Sequence, residues 1–165
     1  MTDVRIAPWG EDDLELLRRL NQPAVRAHTG GPETDEQVFA RHVRYTGGVA
    51  DGQMYAIVLP DGVQAGSVGY WPRVWRDEPV YEMGWAVLPE FQGRGVATAA
   101  VRATVDAARA RGGRRWAHAY PSVDNPPSNA VCRKAGFELL GPVDFEYPPG
   151  QLMRSNDWRL DLSAR

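Results

Sequence analysis

Six consecutive residues, Gln92-Gly93-Arg94-Gly95-Val96-Ala97, carry the most specific chemistry in this chain of 165 residues. Glycines let a backbone approach a ligand closely, and the first amides of a following helix point outward unpaired, at the positive end of its dipole. That combination suits a pyrophosphate, and Arg94 adds a positive charge. Two other phosphate-binding patterns fit poorly. A P-loop needs Gly-x-x-x-x-Gly-Lys-Ser/Thr, and no lysine follows here. A dinucleotide fingerprint needs a third glycine or alanine, and Gly93-x-Gly95-x-x-Thr98 fails at that position.

Two further side chains stand out by type and place. Glu82 falls inside an apolar run, where a carboxylate must be edge-exposed, paired or functional. His118 alternates with Trp116 and Tyr120 on one face of a short strand. An imidazole suits proton transfer near neutral pH, and a lone histidine between aromatics also reads as packed core. His28 and His42 read as surface residues of the N-terminal helices, His28 close to the Gly30-Gly31 turn.

These residues are positioned by an alternation of helices and strands. Residues 4–8 read as a strand, and Leu14, Leu16, Leu17 and Leu20 then mark a helix begun at Asp12 or Asp13. A second helix spans about 34–45, with Thr34 and Gln37 in capping-box spacing. Residues 54–59 and 65–71 flank the turn sequence Pro60-Asp61-Gly62 and predict a hairpin, and 80–88 adds a third strand. The helix at 95–111 turns Val101, Val105 and Ala108 to one face and stops at Gly112-Gly113. A strand at 116–120, a helix at 128–135 and strands at 137–140 and 152–162 complete the chain. The pattern predicts one α/β domain over residues 1–165, a mixed central sheet of about six to seven strands flanked by about four helices.

Composition narrows the classes. The formal charge is −2, with 43% hydrophobic residues, as in a globular protein. A single cysteine, Cys132, excludes an internal disulfide and a cysteine-built zinc site. Residues 1–82 carry 13 acids and 8 bases, and residues 83–165 carry 8 acids and 11 bases. A basic second half suits an anionic cofactor, and an acidic first half suits a cationic substrate. The start of the chain lacks the apolar core of a signal peptide, and no run is long enough to span a membrane, so a cytoplasmic protein is expected. The Arg-rich stretch at 109–115 lacks a sustained basic face, which argues against nucleic acid.

Gln92-x-x-Gly95-x-Ala97 resembles the Gln/Arg-x-x-Gly-x-Gly/Ala loop of the GNAT superfamily of N-acetyltransferases. The longer segment Tyr81-Glu-Met-Gly-Trp-Ala-Val-Leu-Pro-Glu-Phe-Gln-Gly-Arg-Gly-Val-Ala resembles that family's whole strand–loop–helix unit. Asn125, Ser128, Lys134, Gly136 and Phe137 match its Asn-x-x-Ser-x-x-x-x-x-Lys-x-Gly-Phe signature. The two N-terminal helices and the closing Asn156-Asp-Trp-Arg-Leu are similar to the ribosomal-protein N-acetyltransferase branch.

The resemblance implies acetyl-CoA as co-substrate, without a metal, and direct attack of a primary amine on the thioester. It implies that the strand before the loop carries a bulge whose free amides hold the pantetheine arm. Residues 85–88 fall there, with the Val87 amide as oxyanion donor beside Leu88. Gln92, Gly93, Arg94, Gly95, Val96, Ala97 and Thr98 would hold the diphosphate, with Asn125, Ser128 and Lys134 completing the cofactor site. Glu82 is the first candidate base and His118 the second. The tyrosine that many members use as general acid falls on Cys132, which reads as a structural thiol. Trp71, Trp75, Tyr81 and Glu82, with Tyr70, Asp77 and Glu78 nearby, would border the acceptor amine. Expected partners are a small-molecule amine or a peptide N-terminus, with no nucleic acid and no membrane, and a homodimer is left open. The alternative function is a catalytically silent acyl-CoA-binding sensor.

Overall fold

The computed structural model describes residues 2–164. Strand β1 (Arg5–Pro8) leads through a 3-10 turn into helix α1 (Leu14–Leu20), a short α2 (Pro23–Arg26) and α3 (Asp35–Thr46). Strands β2 (Gln53–Val58), β3 (Gln64–Trp75) and β4 (Glu78–Val87) follow, then helix α4 (Val96–Arg111) and strand β5 (Trp116–Ala119). Helix α5 (Pro126–Lys134) and strands β6 (Glu138–Glu146) and β7 (Leu152–Asp161) close the fold. All seven strands join one sheet in the order β1-β2-β3-β4-β5-β7-β6. The β4–β5 pair is parallel and the other pairings are antiparallel. A crossover through α4 brings the chain back to the same end of the sheet, which makes that one pair parallel.

The expected α/β class holds, and the differences have local causes. β3 runs on through Pro72 to Trp75, beyond the predicted end at residue 71. Pairing with β2 stops at Gln53↔Tyr70, so the proline nitrogen falls on a free edge where no donor is needed. Arg76 and Asp77 then take φ of 50° and 66°, giving a two-residue hairpin between Trp75 and Glu78. β6 likewise continues through Gly141 and Pro142, because it is the outermost strand and absorbs a register shift between Leu139 and Gly141. α5 starts earlier than its apolar pattern suggests: Pro126 and Pro127 fill the first helical positions, where no amide partner is lost.

The sheet carries a different cover on each face. Under α4, Val96, Ala100, Val101, Val105 and Ala108 cluster with Ile57, Val68, Tyr70, Tyr81 and Met83. On the opposite face, Leu16, Leu17, Leu20 and Val38 of α1 and α3 meet Met54, Ala56, Val58 and Leu88. Thr34 and Gln37 form the expected reciprocal cap at the start of α3.

A buried amide ties the C-terminal third together. Asn129 of α5 donates to Ser122 O and Asn125 O at 2.9 and 2.8 Å. Its Oδ1 accepts from Asn156 Nδ2 and Trp158 Nε1 of β7, both at 2.8 Å. Asn129→Ala leaves the buried Trp158 N–H without a partner and should destabilise the fold by about 1–3 kcal/mol in urea denaturation, and Asn129→Asp, which keeps the acceptor but sets a carboxylate oxygen against the Ser122 and Asn125 carbonyls, should not restore the loss.

Candidate active site

Pairing between β4 and β5 covers two rungs, Tyr81↔Ala117 and Glu82↔His118. β5 ends at Ala119, and the chain beyond it stays with β7, Asn156 N donating to Pro121 O at 2.9 Å and Ser122 facing Ser155, while it parts from β4, which continues to Val87 alongside β3. The strands part as a V. The Leu88 amide donates to Ala65 O at 2.8 Å on the β3 side. Amide directions alternate along a strand, so the Trp85 and Val87 amides face the gap that β5 leaves open. Gln92 Nε2 donates to Val87 O at 2.9 Å on that same edge. The expected bulge is absent: the β3–β4 register is unbroken from Trp75↔Glu78 to Gly66↔Val87. The parting of β5 from β4, not a bulge, frees the edge.

The V opens into a cleft of about 1170 Å³. One end is the glycine loop. Gly93 and Gly95 take φ of 75° and 79°, in the left-handed region that favours glycine. No side chain caps α4, and its first intrahelical bond is Ala99 N to Gly95 O. Val96, Ala97 and Thr98 therefore present amides without helical acceptors, and they line the cleft with Gln92, Gly93 and Gly95. No atom lies within 4 Å of where a Gly93 Cβ would stand. This backbone cradle fits a diphosphate. Asn125, Ser128 and Lys134 line the adjoining wall, and Asn125 Oδ1 accepts from Ser128 N at 3.3 Å to cap α5.

Two predicted cofactor residues lie apart from this wall. The Arg94 guanidinium stands over the Phe91 ring, 5.8 Å from its centroid, and lines a separate depression with Thr2, Asp3 and Asp61. Leu88 is buried in the apolar cluster beneath α1 and α3.

At the other end of the cleft, alternation puts Trp71, Arg73 and Glu82 on one sheet face. Glu82 accepts from Arg73 Nη1 at 2.9 Å, with 13% of its side chain exposed. Burial pushes its pKa up, and the Arg73 charge partly offsets that rise. The Trp71 indole lies against Gly84, where a Cβ would meet the ring at 2.7 Å. Arg73 packs its guanidinium over Phe145, 4.4 Å from the ring centroid, and the Phe145 ring stacks on Tyr120. The α2–α3 connection supplies His28 and Glu33 to the lining, and α3 supplies Arg41, Arg44 and Tyr45. Glu33 and Arg41 form a two-point pair at 2.9 and 2.7 Å.

Several expectations need correction here. Tyr81 is 2% exposed on the α4 face, its hydroxyl donating to Gly112 O at 2.6 Å, so it borders no acceptor. Tyr70 packs edge-on against it in the same core. Trp75 stands behind the cleft wall, donating to Asp157 Oδ2 at 3.1 Å and packed on Tyr120. Asp77 and Glu78 sit at the β3–β4 hairpin tip. His118 is 4% exposed and donates from Nδ1 to Asp157 Oδ1 at 2.6 Å, behind the cleft lining. His42 is buried rather than at the surface, accepting from Trp9 Nε1 at 3.1 Å, while His28 lines the cleft. The acidic surplus of the first half does not reach the cleft, whose carboxylates are Glu33 and Glu82 against Arg26, Arg41, Arg44, Arg73 and Lys134. Cys132 is 0% exposed, and burial pushes its thiol up to about 12, the state of a structural cysteine.

Sequence reasoning missed Arg73 and Asp157. Each had a faint signal: Arg73 shares a strand face with Trp71 and Trp75, and Asp157 is a carboxylate within a strand that ends Trp-Arg-Leu. Among the described residues there is no group of three or more potential metal-ligating side chains, and no helix is long and apolar enough to cross a membrane.

Comparison with known families agrees with this geometry. The chain belongs to the GNAT acetyltransferases: the Acetyltransferase (GNAT) domain profile matches residues 3–138. It is therefore an acyltransferase by family. A GNAT-family acetyltransferase from Bacillus anthracis superposes with a TM-score of 0.81 at 18% identity, covering 99% of this chain and 98% of that one. An aminoglycoside acetyltransferase in complex with coenzyme A gives a TM-score of 0.80 at 21% identity, with 96% and 95% covered. The ribosomal-protein alpha-N-acetyltransferase RimL, also in complex with coenzyme A, gives 0.75 at 21%, with 100% and 97% covered. At such identities the likeness is one of fold. No curated protein matches the sequence.

Gly95→Val puts a branched side chain at a φ of 79° and within 3.3 Å of Thr2 Oγ1. Calorimetry should show coenzyme A binding weakened about tenfold or more, because the loop can no longer present its backbone, with the far-UV circular dichroism retained. Cys132→Ala should keep turnover within about threefold of wild type while lowering the melting temperature, since the thiol is a packing group.

Proposed function

We propose that this protein is an acetyl-CoA-dependent N-acetyltransferase that moves an acetyl group to a primary amine by direct attack on the thioester. The observation that carries the reading is the free β4 edge between the α4 cradle and Glu82. When bound, acetyl-CoA supplies an acetyl group activated as a thioester. Backbone amides at residues 96–98 hold its diphosphate at the helix N-terminus, without a metal. The pantetheine arm lies along the parted strands, with Gln92, Asn125 and Ser128 on its path and Lys134 near the phosphates.

Strand geometry distinguishes the two edge amides. At about 3.3 Å per residue, Val87 lies about 17 Å from Glu82 and Trp85 about 10 Å. The Trp85 amide is the nearer donor for the developing oxyanion, which leaves Val87 to the pantetheine arm. Glu82 removes the ammonium proton through ordered water, since even 10 Å exceeds the reach of its side chain. Arg73 holds the carboxylate in place. His118 and Asp157 act behind it as positioning residues, orienting the β5 end of the cleft.

The silent-sensor alternative draws support from one feature, the buried Cys132 where many relatives place an acid. Thiol release from acetyl-CoA across a panel of amines separates the two: release with any amine rejects the sensor, and tight binding without release rejects the enzyme.

Glu82→Gln keeps the shape and removes the base. Turnover with an accepted amine should fall about 10²–10⁴-fold near neutral pH. Because burial raises the Glu82 pKa, wild-type activity should decline on acidification at a pH above the ordinary carboxylate range. The variant should lose that acid limb and recover rate at high pH, where the amine arrives neutral. Near-normal turnover with an unaltered pH profile would remove Glu82 from the mechanism.

A further inference from the structure

Among the described residues, two arginines lining the cleft have no ion-pair partner. Four arginines line it, Arg26, Arg41, Arg44 and Arg73, against the carboxylates of Glu33 and Glu82. Each carboxylate is taken by one arginine, Glu33 by Arg41 and Glu82 by Arg73. Arg26 donates to backbone carbonyls alone, Gly31 O at 3.1 Å and Thr29 O at 2.9 Å. Among the described residues neither Arg26 nor Arg44 has a carboxylate within ion-pair distance. Both lie close enough to Glu33 that, after the bond and charge of Arg41, their charges help to hold its carboxyl below the usual range.

The cofactor does not account for this surplus. Its cradle lies at the α4 end, whereas the arginines border the β6–β7 hairpin. There Tyr147 lines the cleft, and a Cβ on Gly30 would meet the Pro148 ring at 2.8 Å. Beside Glu82, the Arg73 Nε and the Tyr120 hydroxyl are buried donors with no acceptor among the described residues. Buried donors without acceptors call for oxygen atoms from a ligand or from water. A local positive field repels polycations, attracts anions and lowers the pKa of an amine held within it.

Resting on the acetyltransferase reading above, we infer that the acceptor is an amine that also carries an anionic group, a carboxylate or phosphate that Arg26 and Arg44 hold while the amine faces Glu82. Two sources share this chemistry, a free acidic amino compound and the N-terminus of an acidic peptide. The positive field does two jobs: it selects the acceptor and eases loss of the ammonium proton.

The test is an acceptor panel matched in everything but charge, at saturating acetyl-CoA. It compares β-alanine with β-alaninamide, O-phosphoethanolamine with ethanolamine, and the C-terminally amidated peptide Ser-Glu-Glu-Ala with amidated Ser-Gln-Gln-Ala, and includes spermidine. The acidic member of each pair should show a kcat/KM higher by about tenfold or more, with the gap shrinking as salt rises. A larger rate with the free acids points to a small metabolite, and a larger rate with the acidic peptide to a protein N-terminus. Arg44→Glu should reverse the preference and leave coenzyme A affinity unaltered by calorimetry. Preference for cationic acceptors, or an Arg44→Glu protein with the wild-type preference, overturns the inference and leaves acetyl transfer standing. Absence of thiol release with every amine would instead sink the acetyltransferase reading. The charge inference is then decided by calorimetric titration of the coenzyme A-saturated protein with the N-acetylated peptides: tighter binding of the acidic one supports it, and equal or weaker binding overturns it.

Discussion

The site depends on how early β5 parts from β4. A parallel pair joined through a helix would ordinarily satisfy the edge of β4 along its whole length, and the amides of Trp85 and Val87 would then be spent within the sheet. Here the pair lasts two rungs and ends at Glu82↔His118. Beyond that point β4 keeps its full antiparallel partnership with β3, so the strand stays rigid while its other edge lies open. Unpaired backbone groups in a partly buried cleft are costly without a ligand. That cost suits the edge to a ligand, and the α4 cradle at its far end extends the same logic with a second set of unpaired amides.

An open seam in the middle of a sheet needs bracing, and polar groups supply it. β7 pairs with both β5 and β6, bridging the short strand to the edge of the sheet. Asp157 on β7 is 1% exposed and has both oxygens engaged, one by His118 and the other by Trp75. Asn129 does the same between α5 and β7. Fully satisfied buried networks hold one geometry more strictly than apolar packing does, because each lost partner leaves a desolvated group behind. The seam is therefore fixed at the rung where Glu82 stands.

Charge in the cleft follows from side-chain pairing, not from the composition of the chain. Both acids that reach the cleft are held by arginine, and Arg26, Arg44 and Lys134 leave the balance of the lining positive. Arg73 shows how such a pair is positioned: its guanidinium lies against Phe145, Tyr120 and Trp75, which shield it from water and fix its approach to Glu82. A carboxylate in this setting is buried enough to have its pKa raised yet stays hydrogen-bonded, a combination suited to a base that works near neutral pH.

Local chemistry was legible in the amino-acid order. The glycine loop, the capping box at Thr34, the α4 face and the Gly112-Gly113 stop depend on residues close in sequence, and each forms as its neighbours dictate. Even the longer strands deviate for reasons the order alone hides, since Pro72 and Pro142 are tolerated only because their nitrogens meet no partner strand. Which face each aromatic takes was decided by tertiary structure: Tyr81 and Glu82 are adjacent residues, and pleating sends one under α4 and the other into the cleft. The same holds for Arg94, adjacent to two glycines of the cradle yet directed over Phe91, and for His118, drawn behind the wall by an aspartate 39 residues away. The sequence determined where a backbone could bind an anion, because that is a property of a few consecutive residues. Tertiary structure decided which charges line the cleft, because Arg26, Arg44, Arg73 and Glu82 come from separate elements and only the packing of α2 and α3 against the sheet brings them together.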